Sequence, residues 1–307
     1  MTILVTGASG FIGRGLVRHF HAAGRPVRAA LRRAQGAPAP GLPLVVEVAV
    51  VGDIGPATDW RAALEGISAI VHLAAPAEQG ALSEADLHRV TVEGAATLAR
   101  AAQQAGIRHF LLFSSAKVMG EESPPGQPFR DQDTPRPGSP YARAKLAAET
   151  AVLAEFPDAV ILRPPLVYGP GVGGNFAKLL RLADIRLPLP LAGIDNRRAM
   201  LYLGNLVSAV ETCLEAPEGK GRHFLIRDGE EMSVSALIGQ LRQARGRSGF
   251  LLPGGRRLIR LLAGRDAARR LCGDYSLDGS NFIATFDWQP PFDVQRAFRL
   301  TASGQQL

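Results

Sequence analysis

The first 20 residues contain the feature that most constrains the fold. Residues 2–13 read Thr-Ile-Leu-Val-Thr-Gly-Ala-Ser-Gly-Phe-Ile-Gly, and apolar residues at helical spacing follow as far as residue 20. An apolar run that stops at a glycine and resumes with a period near 3.6 predicts a strand, a tight turn and an amphipathic helix. We therefore expect the chain to begin as a strand–turn–helix unit.

The three glycines of this turn have the spacing of a dinucleotide site. Gly7 allows the sharp turn, Gly10 lets the backbone approach a pyrophosphate, and Gly13 permits close packing of helix and sheet. The helix N-terminus offers unpaired N–H groups to phosphates. Three glycines can also be no more than a turn before a helix, so later motifs must support this interpretation. The predicted cofactor contacts here are Gly7, Ser9, Gly10, Phe11, Ile12 and Gly13.

Composition excludes several classes of protein. With 307 residues, 46% of them hydrophobic, the chain fits one large domain or two unequal ones. The net charge of +7 comes from scattered arginines with few aromatics among them, which favours a solvated surface over nucleic-acid binding. Cys213 and Cys272 have no metal-like or disulfide spacing, and no metal site is predicted. Residues 1–6 begin a strand directly and no apolar run is of membrane-spanning length, so we expect a cytoplasmic protein.

The ends of the next two predicted strands bear on the cofactor. Residues 26–31 end in Arg32 and Arg33, and arginines at this place can pair with the 2′-phosphate of NADP, whereas an acidic residue would favour NAD. We therefore favour NADP as the cofactor, with NAD or the use of both as the alternative. Arg32 and Arg33 can also be solvent-exposed loop residues with no role in cofactor binding. Residues 44–51 form the third predicted strand, after which Asp53 and Ile54 are candidate contacts of the adenine. Asp53 can equally cap the next helix.

Two further predicted strands lead to the centre of the sheet. Residues 69–73 form the fourth predicted strand, and we interpret His72 within it as a core or strand-end histidine rather than a catalyst. Leu73 and the following Ala74 and Ala75 are predicted to line the cofactor. A long helix is predicted over 82–105. Residues 109–115 then form a strand with Ser114 and Ser115 at its tip, where parallel sheets keep their catalytic groups.

Tyr141 and Lys145 have the spacing of an acid–base pair. An offset of four residues places the phenol and the ammonium on one face of a helix, one turn apart. A nearby cation stabilises the phenolate and moves the phenol pKa from near 10 towards neutrality. Such a pair is common by chance, and its value lies in its position after a serine-tipped strand and a glycine-rich loop.

Together these motifs carry a family resemblance over nearly the whole chain. Residues 6–13, Ser115, Tyr141-x-x-x-Lys145 and the run Leu-Arg-Pro-Pro-Leu-Val-Tyr-Gly-Pro-Gly at 162–171 resemble extended short-chain dehydrogenases/reductases of the NAD-dependent epimerase/dehydratase family. The resemblance implies an α/β fold, a Rossmann-type doubly wound parallel sheet with a smaller C-terminal substrate-binding lobe. It implies a nucleotide domain over 1–168, with 198–216 packing back on it, and a lobe made of 169–197 and 217–307.

A narrower resemblance suggests the substrate. Residues 114–118, 163–171, 174–176 and 196–198 resemble the branch that includes bacterial UDP-N-acetylquinovosamine 4-dehydrogenases, which reduce UDP-linked 4-keto sugars in surface-polysaccharide synthesis. The resemblance implies that Ser115 holds the C4 oxygen, that Tyr141 exchanges its proton, and that Lys145 tunes Tyr141 and binds the nicotinamide ribose. It also implies Pro164 and Leu166 beside the nicotinamide. The implied substrate contacts, beyond Ser115, are Lys117, Asn175, Arg198 and Arg270, with Arg269 as the alternative to the last.

Departures from the family pattern narrow the chemistry. Dehydratases of the family carry Asp-Glu where this chain has Ala116 and Lys117, which disfavours dehydration. Met119 stands where epimerases often have Tyr, which weakens the epimerase interpretation and leaves it open. We expect 4-keto reduction, with 4-epimerisation as the alternative and a non-catalytic nucleotide sensor as a third candidate that the Tyr-x-x-x-Lys pair argues against. Relatives pair the helices at 82–105 and 140–155, which implies a homodimer.

Overall fold

The computed structural model describes residues 1–33, 41–43, 45–76, 82–185, 188–247, 251–253 and 255–304. A seven-stranded sheet forms its centre, with two small two-stranded sheets beside it. The strands are β1 (Ile3–Thr6), β2 (Val27–Leu31), β3 (Glu47–Val50), β4 (Ala69–His72), β5 (His109–Phe113), β6 (Val160–Arg163), β7 (Leu166–Tyr168), β8 (Leu189–Ala192), β9 (Met200–Tyr202), β10 (His223–Leu225) and β11 (Leu251–Pro253).

Helices cover the sheet and build the second lobe. They are α1 (Phe11–Ala22), α2 (Arg61–Leu64), α3 (Glu84–His88), α4 (Gly94–Gln104), α5 (Pro140–Glu155), α6 (Gly174–Asp184), α7 (Leu203–Glu215), α8 (Val234–Ala244), α9 (Gly255–Cys272), α10 (Ser280–Phe286) and α11 (Val294–Ser303). A π-helical turn, Arg89–Glu93, joins α3 to α4. Helix α9 consists of two pieces that meet at Gly264, whose φ of 86° interrupts the helix.

The main sheet is entirely parallel and has a switch point at β1. Its strand order is β10-β6-β5-β4-β1-β2-β3, so the chain builds outward from β1 in one direction and then in the other. Register places Ile3 beside Val27 on one side and beside Ala69 on the other. In such a sheet the ligand binds outside the carboxyl ends of the strands at this reversal. The crevice between the ends of β1 and β4 is therefore the expected site.

Each face of the sheet has its own core. Leu16 and Phe20 of α1 pack with Leu206 and Val210 of α7 on one face. On the other face, α4, α5 and α2 contribute a second cluster that includes Leu98. Since both faces are covered by helices, the strands read as continuous apolar runs rather than alternating ones.

The second lobe has an aromatic core of its own. The Tyr168 ring stacks on Phe176 and on Phe298, with 5.1 Å between centroids in each pair. Its hydroxyl donates to Asp228 at 2.9 Å, and the same buried carboxylate accepts from the backbone N–H of Tyr202. Asp228 therefore ties β7 and β9, the small sheet under the lobe, to the segment after β10.

The observed architecture confirms the predicted fold class, with two differences of detail. Strand β10 pairs with β6 in the main sheet, so residues 223–225 belong to the sheet, whereas the predicted boundary placed them in the lobe. The third strand is shorter than predicted and begins at Glu47; residue 44 lies outside the described residues. Strands β8, β9 and β11 and helix α11 had no sequence prediction. Over the described residues, no helix is both long and apolar enough to span a bilayer.

Two helical glycines test the tight packing of α1 on the turn that precedes it. A Cβ at Gly13 would lie 2.2 Å from the carbonyl oxygen of Gly7 and 2.7 Å from Cα of Ala8, whereas a Cβ at Gly239 of α8 would have nothing within 4 Å. We expect Gly13→Ala to lower the free energy of unfolding by about 1–3 kcal/mol through overpacking. The matched Gly239→Ala should raise it by about 0.5–1 kcal/mol. Urea denaturation measures both, and equal effects would contradict the packing argument.

Candidate cofactor and active site

The glycine loop forms an open cradle at the start of α1. Gly7 has φ of 66°, and a Cβ there would lie 3.0 Å from the backbone nitrogen of Ala74. Gly10 is the N-cap residue and has no side chain to satisfy the first N–H groups of α1. The loop therefore presents backbone donors at the positive end of a helix dipole, with Ser9 exposed and Phe11 and Ile12 half-buried beside them. This cradle fits a nucleotide diphosphate.

Thr6 shapes the opposite wall of the crevice. Its hydroxyl accepts from the backbone N–H groups of Leu73 and Ala74, each at 3.2 Å, and lies 2.8 Å from Nδ1 of His72. Since the oxygen already accepts two bonds, its hydrogen points to Nδ1, and the imidazole proton is on Nε2. Burial, aided by the Lys145 charge, lowers the pKa of His72 to about 3. His72 is thus neutral and structural, as the sequence analysis interpreted it, and it helps to hold residues 73–75 against the crevice.

The predicted adenosine contacts meet one another. Nε of Arg32 lies 2.9 Å from Oδ1 of Asp53, and both side chains are about 70% exposed (72% and 69%). Arg33 is also exposed. Ile54 packs against Gly94 of α4, where an added Cβ would lie 2.6 Å from Cγ2 of Ile54. An exposed pair of this kind contributes little stability, so a ligand phosphate can compete for Arg32.

The alternative role of Asp53 as a helix cap is wrong. Helix α2 has Trp60 as its N-cap residue and no side-chain hydrogen bond there. The carboxylate that accepts from the first N–H of α2, that of Arg61, belongs to Asp59. The side chain of Asp53 is instead exposed and paired with Arg32.

The tip of β5 is locked against the chain after β6. The N–H of Ser114 donates to the Leu162 carbonyl at 2.8 Å, and the N–H of Ala116 donates to the Pro164 carbonyl at 2.9 Å. Ser115 lies between these two bonds, and its hydroxyl accepts from the N–H of Lys117 at 3.2 Å. The two backbone bonds place Ser115 beside the segment that contains Pro164 and Leu166.

Helix α5 carries the predicted acid–base pair. Ser139 caps the helix by accepting from the N–H of Ala142 at 3.2 Å, and a proline follows at the first helical position. Tyr141 is half-buried, one turn before Lys145, which is buried. Nζ of Lys145 donates to the Phe113 carbonyl at 2.7 Å. The structure thus brings Lys145 to the end of the strand that Ser115 follows.

The charge state of Lys145 follows from its surroundings. Burial lowers its pKa to about 8, and the carboxylate of Glu149 opposes this shift. Below about pH 8 the side chain is therefore an ammonium ion, one helical turn from the Tyr141 phenol. A cation in that place stabilises the phenolate form.

A buried charged cluster, which was not predicted from the sequence, lies behind this pair. Glu149 of α5 binds the guanidinium of Arg163 with both oxygens, at 2.9 and 2.6 Å, and accepts a short hydrogen bond from the hydroxyl of Ser114. The two charged side chains are 5% and 3% exposed. Two signals were available: an acidic residue four positions after Lys145, and an arginine that ends an otherwise apolar strand.

The predicted substrate contacts are spread over both lobes. Lys117 lies two residues after Ser115, and its Nζ is 3.3 Å from a carboxylate oxygen of Glu121. Asn175 is half-buried in the first turn of α6. Arg198 lies over the Tyr275 ring at 5.6 Å and donates to the Gly273 carbonyl at 3.3 Å. The side chain of Arg270 lies outside the described residues, so that assignment, like the alternative at Arg269, stays a prediction.

Comparisons with known proteins show which family and fold the chain resembles. A model described as the NAD dependent epimerase/dehydratase family matches residues 3–226. A UDP-glucose 4-epimerase of Vibrio cholerae is 34% identical over 319 residues, which cover 98% of this chain and 94% of that protein. Two solved structures resemble the whole fold. A Thermotoga maritima UDP-glucose 4-epimerase with UDP-glucose has a TM-score of 0.79 at 21% identity, covering 99% of this chain and 98% of that chain. A Thermus thermophilus UDP-glucose 4-epimerase with NAD has a TM-score of 0.76 at 24% identity, with the same two coverages.

The neutral state of His72 predicts a loss of stability in acid. With a pKa of about 3 in the folded state and 6.5 as its ordinary value, His72 binds a proton only in the unfolded chain between these limits. The free energy of unfolding should therefore fall as pH drops below about 6.5 and stop responding to this group near pH 3, a loss of up to a few kcal/mol. In His72→Gln the urea midpoint should depend less steeply on pH over this range.

The control for this measurement is His21→Gln, an exposed position at the end of α1. It should keep the pH dependence of the parent protein. A His72→Gln protein with the full acid sensitivity of the parent would contradict the assignment of a neutral, buried imidazole.

Proposed function

The chain belongs to the NAD dependent epimerase/dehydratase family, and on that premise we propose that it catalyses hydride exchange between a nicotinamide cofactor and C4 of a UDP-linked sugar. The observation that carries the proposal is the anchoring of Lys145 to the Phe113 carbonyl. This bond holds a cation one turn from the Tyr141 phenol and next to the strand tip that ends in Ser115. The arrangement suits removal or addition of a proton at a sugar hydroxyl or ketone.

The glycine cradle is the proposed seat of the cofactor. Residues 7–13 would hold the diphosphate on the N–H groups of α1, and residues 73–75 would line the far side. Pro164 and Leu166 would lie beside the nicotinamide, and Lys145 would bind its ribose. When bound, the nicotinamide supplies or accepts the hydride at C4.

The protein's own groups would manage the proton. Tyr141, as phenolate, takes the proton of the C4 hydroxyl during oxidation, and as phenol returns it to the C4 oxygen during reduction. The Lys145 ammonium favours the phenolate form and so brings the phenol pKa closer to the working pH. The Ser115 hydroxyl donates a hydrogen bond to the C4 oxygen as negative charge develops there.

We propose net reduction of a UDP-4-keto sugar, as in surface-polysaccharide synthesis, on the strength of the motifs shared with UDP-N-acetylquinovosamine 4-dehydrogenases. Epimerisation at C4 is the second candidate, because the Vibrio cholerae relative over 98% of the chain is a UDP-glucose 4-epimerase. Met119 does not help to choose between them. Its side chain is buried, and its sulfur lies 3.5 Å from a guanidinium nitrogen of Arg163. Met119 therefore packs against the buried charged cluster.

The remaining contacts are proposed for the nucleotide end of the substrate. Arg198 and Asn175 would bind the diphosphate, and Lys117 would lie near the sugar. Arg198 is well placed for this role because its guanidinium is already oriented by Tyr275 and by the Gly273 carbonyl. Burial lowers the pKa of Arg198 from its high ordinary value, so a bound phosphate would relieve part of the desolvation cost of the cation.

Removing the phenol hydroxyl tests the proposed acid–base role. Tyr141→Phe should reduce kcat at least about 100-fold while leaving the dissociation constant of the cofactor within a few-fold, since proton transfer by a positioned group contributes about 10²–10⁴. Activity is measured with a UDP-4-keto-hexosamine and NADPH or NADH, and with UDP-glucose. Tyr202→Phe, which removes a hydroxyl from the core of the second lobe, is the matched control and should keep its activity.

The same assays separate the candidate functions. A reductase consumes reduced cofactor in proportion to product, whereas an epimerase interconverts UDP-glucose and UDP-galactose without net consumption. A protein inactive in both assays that still binds nucleotides would favour the sensor. Unchanged turnover in Tyr141→Phe would remove the basis of the proposal.

The Arg32–Asp53 pair gives a test of cofactor choice. We propose that Arg32 and Arg33 bind the 2′-phosphate of NADP, with NAD as the alternative. Replacing both arginines by alanine should then raise the dissociation constant of NADPH about tenfold or more and leave that of NADH nearly unchanged. Asp53→Asn frees Arg32 and should tighten NADPH binding. Fluorescence titration of the parent protein and of both variants measures these dissociation constants, and equal effects on the two cofactors would favour NAD.

A further inference from the structure

The cluster behind Lys145 holds two buried cations and one carboxylate. Glu149 follows Lys145 by one turn on α5, and both of its carboxylate oxygens accept hydrogen bonds from the guanidinium of Arg163. The ammonium group of Lys145 donates a hydrogen bond to the Phe113 carbonyl. When all three groups are ionised, the cluster therefore has a net charge of +1. Isolated buried charge is costly, so a second buried cation, one helical turn from a carboxylate already paired with Arg163, needs a reason.

The neighbours of Lys145 define what acts on its charge. Among the described residues, Glu149 on α5 acts on Lys145, and Lys145 acts in turn on the neutral His72 of β4. Tyr141 lies one turn before Lys145 on the same helix. Across Glu149 lies Arg163 on β6, which also acts on Asp131 in the loop before α5. Glu149 is thus the carboxylate that faces Lys145, and Arg163 is the cation that competes for it.

We propose that Glu149 and Arg163 are positioning residues that set the protonation of Lys145 in opposite directions. Glu149 holds Lys145 in its ammonium form. Arg163 occupies both oxygens of Glu149 and so keeps that carboxylate from neutralising Lys145. The positive charge that remains is then available to the Tyr141 phenolate. This inference rests on the proposed role of Lys145 in the acid–base step.

A purely structural ion pair would behave differently. Removing either partner of such a pair weakens the fold and lowers activity alike at all pH values. The proposed arrangement instead predicts shifts of opposite sign. Without the Glu149 charge, the ammonium loses its counter-charge and the pKa of Lys145 falls. Without the Arg163 charge, Glu149 is released towards Lys145 and that pKa rises.

The chain is well suited to a direct measurement. It contains four lysines, Lys117, Lys145, Lys178 and Lys220, so carbon-13 labelling of lysine gives four side-chain signals to follow by NMR. Lys145→Met assigns the signal of interest by its loss. The titration needs neither substrate nor cofactor, so its outcome is independent of the reaction that the enzyme catalyses.

We expect the Lys145 signal of the parent protein to titrate near pH 8. In Glu149→Gln the midpoint should fall by about one pH unit or more, and in Arg163→Met it should rise by a similar amount. The alkaline limb of kcat/KM against pH should move the same way in each variant. Glu155→Gln is the matched control. It makes the same change on α5 at an exposed pair with Arg100 and should leave the titration unchanged.

A variant with one unpaired buried charge can fail to fold, which circular dichroism detects. The double variant Glu149→Gln/Arg163→Met removes both charges and keeps the test open. Since Glu149 acts directly on the charge of Lys145, its loss should dominate, and the midpoint should fall by less than in Glu149→Gln alone. Midpoints that stay at the parent value, or that move in the same direction in both single variants, overturn the inference. Turnover by Tyr141→Phe alongside the expected shifts would overturn the proposed function instead.

Discussion

The bond between the Lys145 ammonium and the Phe113 carbonyl joins helix α5 to the end of β5, and the candidate site depends on it. A lysine buried to this degree is costly unless its ammonium is hydrogen-bonded. Here the strand end supplies the acceptor, because Phe113 is the last residue of β5 and the chain turns away after it. The position of α5 is thereby fixed relative to Ser115, two residues further on. The backbone of Tyr141, one turn earlier on the same helix, is thereby placed near the same strand end.

Three consecutive residues at the end of β5 each make a different hydrogen bond. Phe113 accepts from Lys145, Ser114 donates to Glu149, and Ser115 caps the short helical turn that follows. Backbone bonds on either side of Ser115 hold this tip to the chain after β6. Thr6 performs a comparable task at the end of β1, where one hydroxyl binds two backbone N–H groups and an imidazole. At both strand ends, hydrogen bonds from buried polar groups fix the conformation of the loop that follows the strand.

The parts that sequence predicted are those with local causes. The glycine loop is specified by backbone conformation and close approach, and Tyr141 and Lys145 by the period of one helix. The sequence marks Glu149 and Arg163 as unusual within their elements, but it does not predict their pairing, because nothing within either element shows that β6 brings the guanidinium to α5. The same holds for β10: three residues that read as a strand do not reveal that β6 is their partner. The pairing of Arg32 with Asp53, across the ends of β2 and β3, has the same long-range origin.

The acid–base groups alone cannot distinguish reduction from epimerisation, because both begin with or end in the same proton and hydride exchange at C4. Under the proposed function the difference must arise where the substrate is held, and Arg198 is one of the proposed contacts of its diphosphate. There Asn196 donates to the carbonyls of Leu271 and Gly273 and accepts from the N–H of Val234, so it fixes the segment that carries Arg198. An epimerase has to let the ketone turn within its pocket, whereas a reductase gains by preventing this. Asn196 holds the segment of Arg198 through contacts separate from those at the end of β5, so under the proposed function the proton transfer and the grip on the substrate depend on different parts of the chain.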